Sequence, residues 1–381
     1  MRAARADVDL EAIAHNVRTL AAHAAPAKFC AVVKADGYGH GAIAVGQAAL
    51  DAGADWLAVA LIEEGAVLRK AGITAPILIL SQPRLDDFDA AVHYDLRIAV
   101  YTPEGIEAAC DAASAEGKVA KLHLKVNTGM NRVGAQPEDI KGLAERIAKR
   151  PEVEFEALWT HCAVADEPDH DFTAEQLDRF DAVVRELDEA GLRPTMLHAA
   201  NSAATIDHER ARLDLVRCGI SIYGIAPSPA LQDRLDLKPA LRLGAEVSMV
   251  KRVRAGERIS YGLRHQFGEP TTVVTVSIGY ADGVPRALSP AGAEVLIHGR
   301  RCRIVGSVTM DQIMVDVGDL DVEVGDEVVL IGSQVDPAGR GADPDEITAD
   351  EWADHLGTIA YEVVCGIGPR VPRFYRRRSS T

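Results

Sequence analysis

The sequence predicts an α/β protein: a closed (β/α)8 TIM barrel followed by a mostly antiparallel β-domain. Three observations predict it. First, apolar runs at 29–33, 56–60, 77–80, 96–101, 121–126, 153–160, 195–198 and 213–216 alternate with helical patterns such as 42–50, 103–113 and 172–190. Strand-like runs alternating with helix-like runs signal βαβ units and a parallel sheet. Eight such units in about 220 residues suit a closed barrel. Second, the pattern changes near Ala226-Pro227-Ser228-Pro229, and strand-like segments then dominate. Third, polar residues collect where the apolar runs end. An open doubly wound sheet is the alternative, but its G-x-G-x-x-G fingerprint follows none of the runs.

The elements follow in order. Residues 8–20 begin as a short strand and turn helical, with Asp9 placed as an N-cap and Ile13, Val17 and Leu20 on one face. The eight βα units come next, giving a first domain over 1–235. The second domain, 236–381, reads as strands at 245–250, 271–277, 295–298, 303–308, 313–317 and 327–331. Turn signals such as Gly318-Asp319 and Val324-Gly325-Asp326 separate them. Only 349–356 reads as helix there.

Composition narrows the partners. The chain has 381 residues, 48% hydrophobic and 26% charged, with a net charge of −16. An acidic surface argues against nucleic acid, because phosphate binding needs a basic face. Arg376-Arg377-Arg378 is the exception and reads as a solvated tail. The cysteines are Cys30, Cys110, Cys162, Cys218, Cys302 and Cys365, with no C-x-x-C pair. This is neither a disulfide framework nor a metal pattern, and it suits a reducing compartment. The first ten residues have no apolar h-region. No apolar run approaches the roughly 20 residues that span a bilayer. The cytoplasm is therefore expected, with no membrane partner.

Barrels place chemistry at the C-terminal ends of their strands. Lys34 ends the first run and breaks into a loop with Gly37, Gly39 and Gly41. A lysine at the edge of an apolar core has a lowered pKa and a nucleophilic amine suited to a Schiff base. The alternative is a lysine that snorkels to water. His123, Lys125 and Asn127 alternate along the fifth run. His161 ends the sixth, and His198 the seventh, before Asn201-Ser202. Arg217 ends the eighth, followed by Gly219 and Ser221. Barrels commonly bind phosphate with the loops after strands seven and eight, where Ser202 and Ser221 stand.

Val33-Lys34-Ala35-Asp36-Gly37-Tyr38-Gly39-His40-Gly41 resembles the pyridoxal-phosphate attachment site of the alanine racemases. The likeness runs from Ala6 to Tyr375. Lys125-Val126-Asn127-Thr128-Gly129-Met130-Asn131-Arg132-Val133-Gly134 is similar to the family's second motif. His198-Ala199-Ala200-Asn201-Ser202 and Arg217-Cys218-Gly219-Ile220-Ser221 are similar to its phosphate and ring-nitrogen segments. Ile259-Ser260-Tyr261-Gly262, Gly279-Tyr280-Ala281-Asp282-Gly283, Thr309-Met310-Asp311-Gln312, Tyr361-Glu362 and Arg370-Val371-Pro372-Arg373 match in the second domain. Two departures are Thr309, where many relatives have cysteine, and Asn131, where many have glycine.

The resemblance implies a role for each residue. Lys34 holds pyridoxal 5'-phosphate as a Schiff base and acts as one base; Tyr261 is the second. Tyr38, Ser202, Gly219, Ile220 and Tyr361 hold the phosphate. Arg132 bonds the cofactor's phenolate oxygen. His161 packs near the ring and bonds Arg217, which faces the ring nitrogen. Met310 and Asp311 position the substrate carboxylate. Lys125 matches a lysine carbamylated in some members. The implied activity interconverts L- and D-alanine to supply peptidoglycan, in a cytoplasmic homodimer with shared sites. Alternatives are a racemase of the same fold with broader specificity, for serine among others, and a non-catalytic pyridoxal-phosphate-binding protein.

Overall fold

The computed structural model describes residues 4–336 and 344–376. It divides into two compact units. One comprises Glu11–Gly37 and Gly41–Lys238; the other comprises Met1–Leu10, Tyr38–His40 and Pro239–Thr381. This division differs from a first domain over 1–235 at both early segments. The first strand, β1 (Arg5–Asp9), pairs with strands at 241–244 and 373–376, not with the barrel.

In the first unit the eight apolar runs are eight parallel strands: β2 (Lys28–Val32), β3 (Trp56–Val59), β4 (Ile77–Ile79), β5 (Arg97–Val100), β6 (Ala120–Lys125), β7 (Val153–Trp159), β8 (Met196–His198) and β9 (Leu215–Cys218). Their order is β8-β7-β6-β5-β4-β3-β2-β9. The last gap, between β8 and β9, is closed by hydrogen bonds. Asp214 N–H donates to Leu197 O at 3.1 Å, Leu197 N–H donates to Asp214 Oδ2 at 2.8 Å, and Arg217 N–H donates to Ala200 O at 3.0 Å. Burial on both faces explains why the runs read as continuous apolar stretches; every residue of β3, β4 and β9 is buried.

The helices between strands carry local signals. Helix Pro103–Glu116 starts on Thr102, whose side chain accepts from Gly105 N–H, has proline in its first turn and ends on left-handed Gly117. Its Ile106, Ala109, Cys110 and Ala113 are buried, three or four residues apart. Helix Phe172–Glu189 buries Leu177, Phe180, Val184 and Leu187 in the same way.

The second unit is built on a nine-stranded sheet among the described residues. Its strands are β1, β10 (Leu241–Val253), β13 (Thr271–Val276), β14 (Glu294–Ile297), β15 (Arg300–Val305), β16 (Ile313–Gly318), β17 (Glu327–Gln334), β18 (Asp345–Ile347) and β19 (Arg373–Arg376). All pairings are antiparallel except β1 with β19. The long β10 pairs with both β13 and β17, which curls the sheet upon itself; register shifts at Leu243/Gly244 and Val247/Met249 supply the bends. A two-stranded hairpin of β11 (Arg258–Ile259) and β12 (His265–Gln266) stands apart.

Helix Ala349–Leu356 is present as expected, capped by Thr348. Two further helices, Leu288–Ala291 and Ala360–Cys365, were not expected; both are too short for apolar periodicity to register. Arg376 is not a solvated tail: it lies in β19, 3.0 Å from Asp7. Arg377 and Arg378 lie outside the described residues. No helix among the described residues is long and apolar enough to cross a membrane.

Barrel closure gives a first prediction. Asp214→Ala leaves Leu197 N–H without its acceptor. Losing that bond costs about 1–3 kcal/mol. Urea unfolding should show the midpoint falling with an unchanged slope.

Candidate active site

The chain leaves β2 through an unusual turn. Ala35, Asp36 and Gly37 after Lys34 all have left-handed backbone angles, near φ +50° to +63° and ψ +44° to +51°. Each left-handed non-glycine residue costs about 1–2 kcal/mol. Hydrogen bonds hold the turn. Gly37 N–H donates to Val33 O at 2.9 Å, and Gly41 N–H to Asp36 O at 2.7 Å. Ala42 N–H donates to Asp36 Oδ1 at 2.8 Å. The Glu64 carboxylate accepts from Ala35 N–H at 2.6 Å, and from Ala60 and Leu61 N–H. Strain held by its surroundings marks a functional segment. Glu64 was missed in the sequence. Its one local signal is the capping position in helix Ile62–Lys70, which says nothing of Ala35.

Arg217 is buried at the end of β9. Its guanidinium donates to Thr160 O and Ala199 O, both at 2.9 Å, and to His198 Nδ1 at 2.7 Å, and lies 3.3 Å from His161 Nδ1. Trp159 forms one wall. Arg217 lies 4.8 Å and Lys125 Nζ 4.2 Å from its ring centroid, and His198 stacks on it at 5.3 Å. Burial pushes the Arg217 pKa down to about 10. Burial, then Arg217, Arg132 and Lys34, pushes Lys125 down to about 7. Burial and the same three cations with Lys125 hold His161 well below the ordinary histidine range. The structure thus brings Lys34, Lys125, Arg132, His161 and Arg217 within electrostatic reach of one another. The groups acting on Lys125 are all positive, so this barrel mouth favours an anion.

The loop carrying Arg132 is organised by Asn127. Its carbonyl oxygen accepts from Gly129 N–H at 3.2 Å and Asn131 N–H at 3.0 Å, and its amide donates to Asn131 Oδ1 at 2.8 Å. Asn131 has φ +57°, a left-handed conformation that glycine adopts freely and asparagine tolerates.

After β8 the N-cap of helix Ser202–Asp207 is Asn201, accepting from Ala204 N–H. Ser202 Oγ instead accepts from Gly219 N–H at 2.9 Å, joining the two loops of the expected phosphate site. Ile220 begins the buried turn Ile220–Tyr223. Within that turn Ser221 Oγ is buried without a hydrogen-bond partner among the described residues. His198 ends β8 as expected, and both His123 and His198 are fully buried.

The remaining candidates lie in the second unit. Tyr261 sits at the tip of the β11–β12 hairpin, 73% exposed. The preceding Ser260 has φ +65° and ψ −177°, a region used almost only by glycine. It is held by Ser260 Oγ–H to Ser307 O at 2.7 Å, while Ser307 Oγ–H donates to Tyr261 O at 3.0 Å. Tyr261 lines a cleft of about 1020 Å³ with Tyr280, Arg286, Thr309, Met310 and Asp311. Thr309 Oγ1 accepts from Gln312 N–H at 3.2 Å, a local turn that a cysteine would make more weakly. Arg370 ties Asp311 at 2.6 Å to buried Asp282 at 3.3 Å. Gly279 packs under this loop; a Cβ there would strike Met310 O and Asp311 N at 2.5 and 2.6 Å. The rings of Tyr38 and Tyr361 lie 6.2 Å apart in the same unit.

Comparison with known proteins agrees along the whole chain. The family described as "Alanine racemase, N-terminal domain" matches residues 8–227, and "Alanine racemase, C-terminal domain" matches 240–375. The alanine racemase of Symbiobacterium thermophilum is 47% identical over 375 residues, covering 98% of this chain and 97% of its own. That of Desulfovibrio desulfuricans is 42% identical, covering 97% of each. Among solved structures, the alanine racemase from D-cycloserine-producing Streptomyces lavendulae has a TM-score of 0.91 at 39% identity, covering 99% of this chain and 98% of its own. That from Bacillus anthracis, with bound L-Ala-P, has a TM-score of 0.91 at 37% identity, covering 100% and 96%. The chain belongs to the alanine racemase family.

Proposed function

We propose that this chain is a pyridoxal-phosphate-dependent isomerase that interconverts L- and D-alanine by a two-base mechanism. The observation that carries the reading is the cation-rich barrel mouth around Lys34, closed below by buried Arg217. The donor set fits pyridoxal phosphate: cations for its phenolate and phosphate charges, and the Ser202 and orphaned Ser221 hydroxyls in the phosphate loops. When bound, that cofactor supplies an electron-withdrawing ring conjugated to the substrate's Cα.

The residues divide the work. Lys34 would hold the cofactor covalently, and its Nζ would take or give the Cα proton. Ser202, Gly219, Ile220, Tyr38 and Tyr361 hold the phosphate, and Arg132 the phenolate oxygen. Arg217 has only donors and keeps its proton. Facing a ring nitrogen, it would offer that nitrogen no proton, and the weaker electron withdrawal would favour return of the proton to Cα. His161, held neutral beside Arg217, would pack against the ring. Met310 and Asp311 orient the substrate carboxylate. The Tyr261 hydroxyl serves the opposite face of Cα, supplied by the partner of a homodimer. The exposure of Tyr261 at 73% and Met310 at 52% supports burial of this face by a second copy. The six free thiols suit the reducing cytoplasm, where D-alanine would enter peptidoglycan supply.

Three outcomes test this reading. Purified protein should racemise L-alanine by circular dichroism. After borohydride reduction the cofactor should map to Lys34 and be absent in Lys34→Ala; attachment at another lysine refutes the assignment.

Mixing Lys34→Ala and Tyr261→Phe chains by joint refolding should restore roughly a quarter of wild-type activity, since half the dimers then hold one intact site. A mixture with heterodimers present but no recovery would show that Tyr261 does not act across the interface.

Lys125, with a pKa near 7, is about half uncharged at pH 7 and increasingly so above it, and the uncharged amine is nucleophilic toward carbon dioxide. The anionic carbamate would offset Arg132, Arg217 and Lys34. Under ¹³C-labelled bicarbonate a carbamate signal should grow as pH rises through 7 and vanish in Lys125→Met. A signal that persists in the variant belongs to another amine.

A further inference from the structure

A chain of hydrogen bonds leaves Arg217 in the direction away from the barrel mouth. Arg217 Nη1 donates to His198 Nδ1 at 2.7 Å. His198 Nε2 lies 3.0 Å from His123 Nδ1, and His123 Nε2 lies 2.9 Å from Glu156 Oε2. Both imidazoles are fully buried. Two groups set the direction of the whole chain. A guanidinium has only donors and an ionised carboxylate only acceptors. His198 Nδ1 must therefore be bare, with its proton on Nε2. That proton faces His123 Nδ1, which must also be bare, so the His123 proton sits on Nε2 and points to Glu156. Any other arrangement with neutral rings sets two N–H groups or two lone pairs face to face in a dry interior, where an unmade bond is costly.

The surroundings favour this single arrangement. Burial pushes both histidines toward the neutral form, His198 well below its ordinary range. Glu156 stays ionised beside Arg97 at 3.6 Å and Lys121 at 3.5 Å, and its pKa is lowered although burial acts to raise it. Trp159 stacks on His198, and its indole N–H donates to His123 O at 3.3 Å. Trp56 packs 5.6 Å from His123.

We propose that Glu156 and His123 are positioning residues: through His198 they hold Arg217 in one orientation at the barrel mouth. This rests on the reading that Arg217 faces the cofactor ring. The two imidazoles transmit the carboxylate's preference without carrying charge. Once the carboxylate is lost, His123 is free to adopt either tautomer. One of these turns His198 into a donor toward Arg217, which then loses an acceptor and its fixed aim.

The test uses holoenzyme with ring-¹⁵N histidine. In wild type both His123 and His198 should be neutral and protonated on Nε2, with downfield N–H protons. Glu156→Gln keeps the shape but replaces the acceptor by an amide that accepts or donates. Its effect should pass beyond His123 to the His198 N–H resonance. Racemisation kcat should fall about ten-fold or more with KM within two-fold, up to the roughly hundred-fold cost of a group misplaced by about 1 Å. Lys121→Ala removes the cation on the other Glu156 oxygen but leaves Arg97 and the His123 bond, which keep the carboxylate ionised, so the resonances and kcat should be unchanged. An Nδ1-protonated ring in wild type overturns the proposal without any variant. So does a Glu156→Gln protein whose His198 resonance or kcat is unaltered. The resonance arm does not depend on where the cofactor attaches, so failure of the Lys34 assignment is read separately from failure of this relay.

Discussion

A guanidinium sealed inside a barrel is the constraint on which the rest of the site depends. Arg217 cannot discharge itself by losing a proton, so its surroundings must satisfy it. They do so with the Thr160 and Ala199 carbonyls, His198 and the face of Trp159. That demand explains the ends of β7, β8 and β9. The same burial that lowers the pKa of Arg217 holds His161 and His198 neutral, and Arg217 in turn helps to lower Lys125. One charge placed in a low-dielectric interior thus sets the protonation of its neighbours.

The charge balance of the chain and of the site run in opposite directions. The protein as a whole carries −16, yet Lys34, Lys125, Arg132 and Arg217 converge at one barrel mouth. A net negative charge disfavours association with nucleic acid in general, while a local positive field attracts small anions. Overall charge and site charge therefore answer different questions, and only the second bears on the ligand.

Both proposed bases stand on strained backbone. Lys34 opens a left-handed turn held by Glu64, and Tyr261 follows Ser260 in a conformation favoured only by glycine. Such conformations persist because neighbouring hydrogen bonds over-determine them. In each case a rigid strand precedes the strained residue. The side chain is thereby presented on a short, stiff arm instead of a mobile loop.

By itself the sequence determined the eight βα units, the change to an antiparallel domain and the rim candidates. Apolar period, glycine punctuation and the residue at the end of each run are local properties, readable from neighbours along the chain. Lys34, Arg217 and Ser202 were legible as candidates for that reason. Asn131 was legible only as a departure, and its positive φ supplied the cause. Tertiary structure alone decided that β1 joins β10 and β19, that Glu64 holds the turn after Lys34, and that Trp159 backs two cations. It also decided that His123, which reads as one of several rim histidines, lies in the core between His198 and Glu156. These are pairings between residues tens or hundreds of positions apart. No spacing along a chain encodes which carboxylate meets which imidazole; barrel closure and burial make that choice.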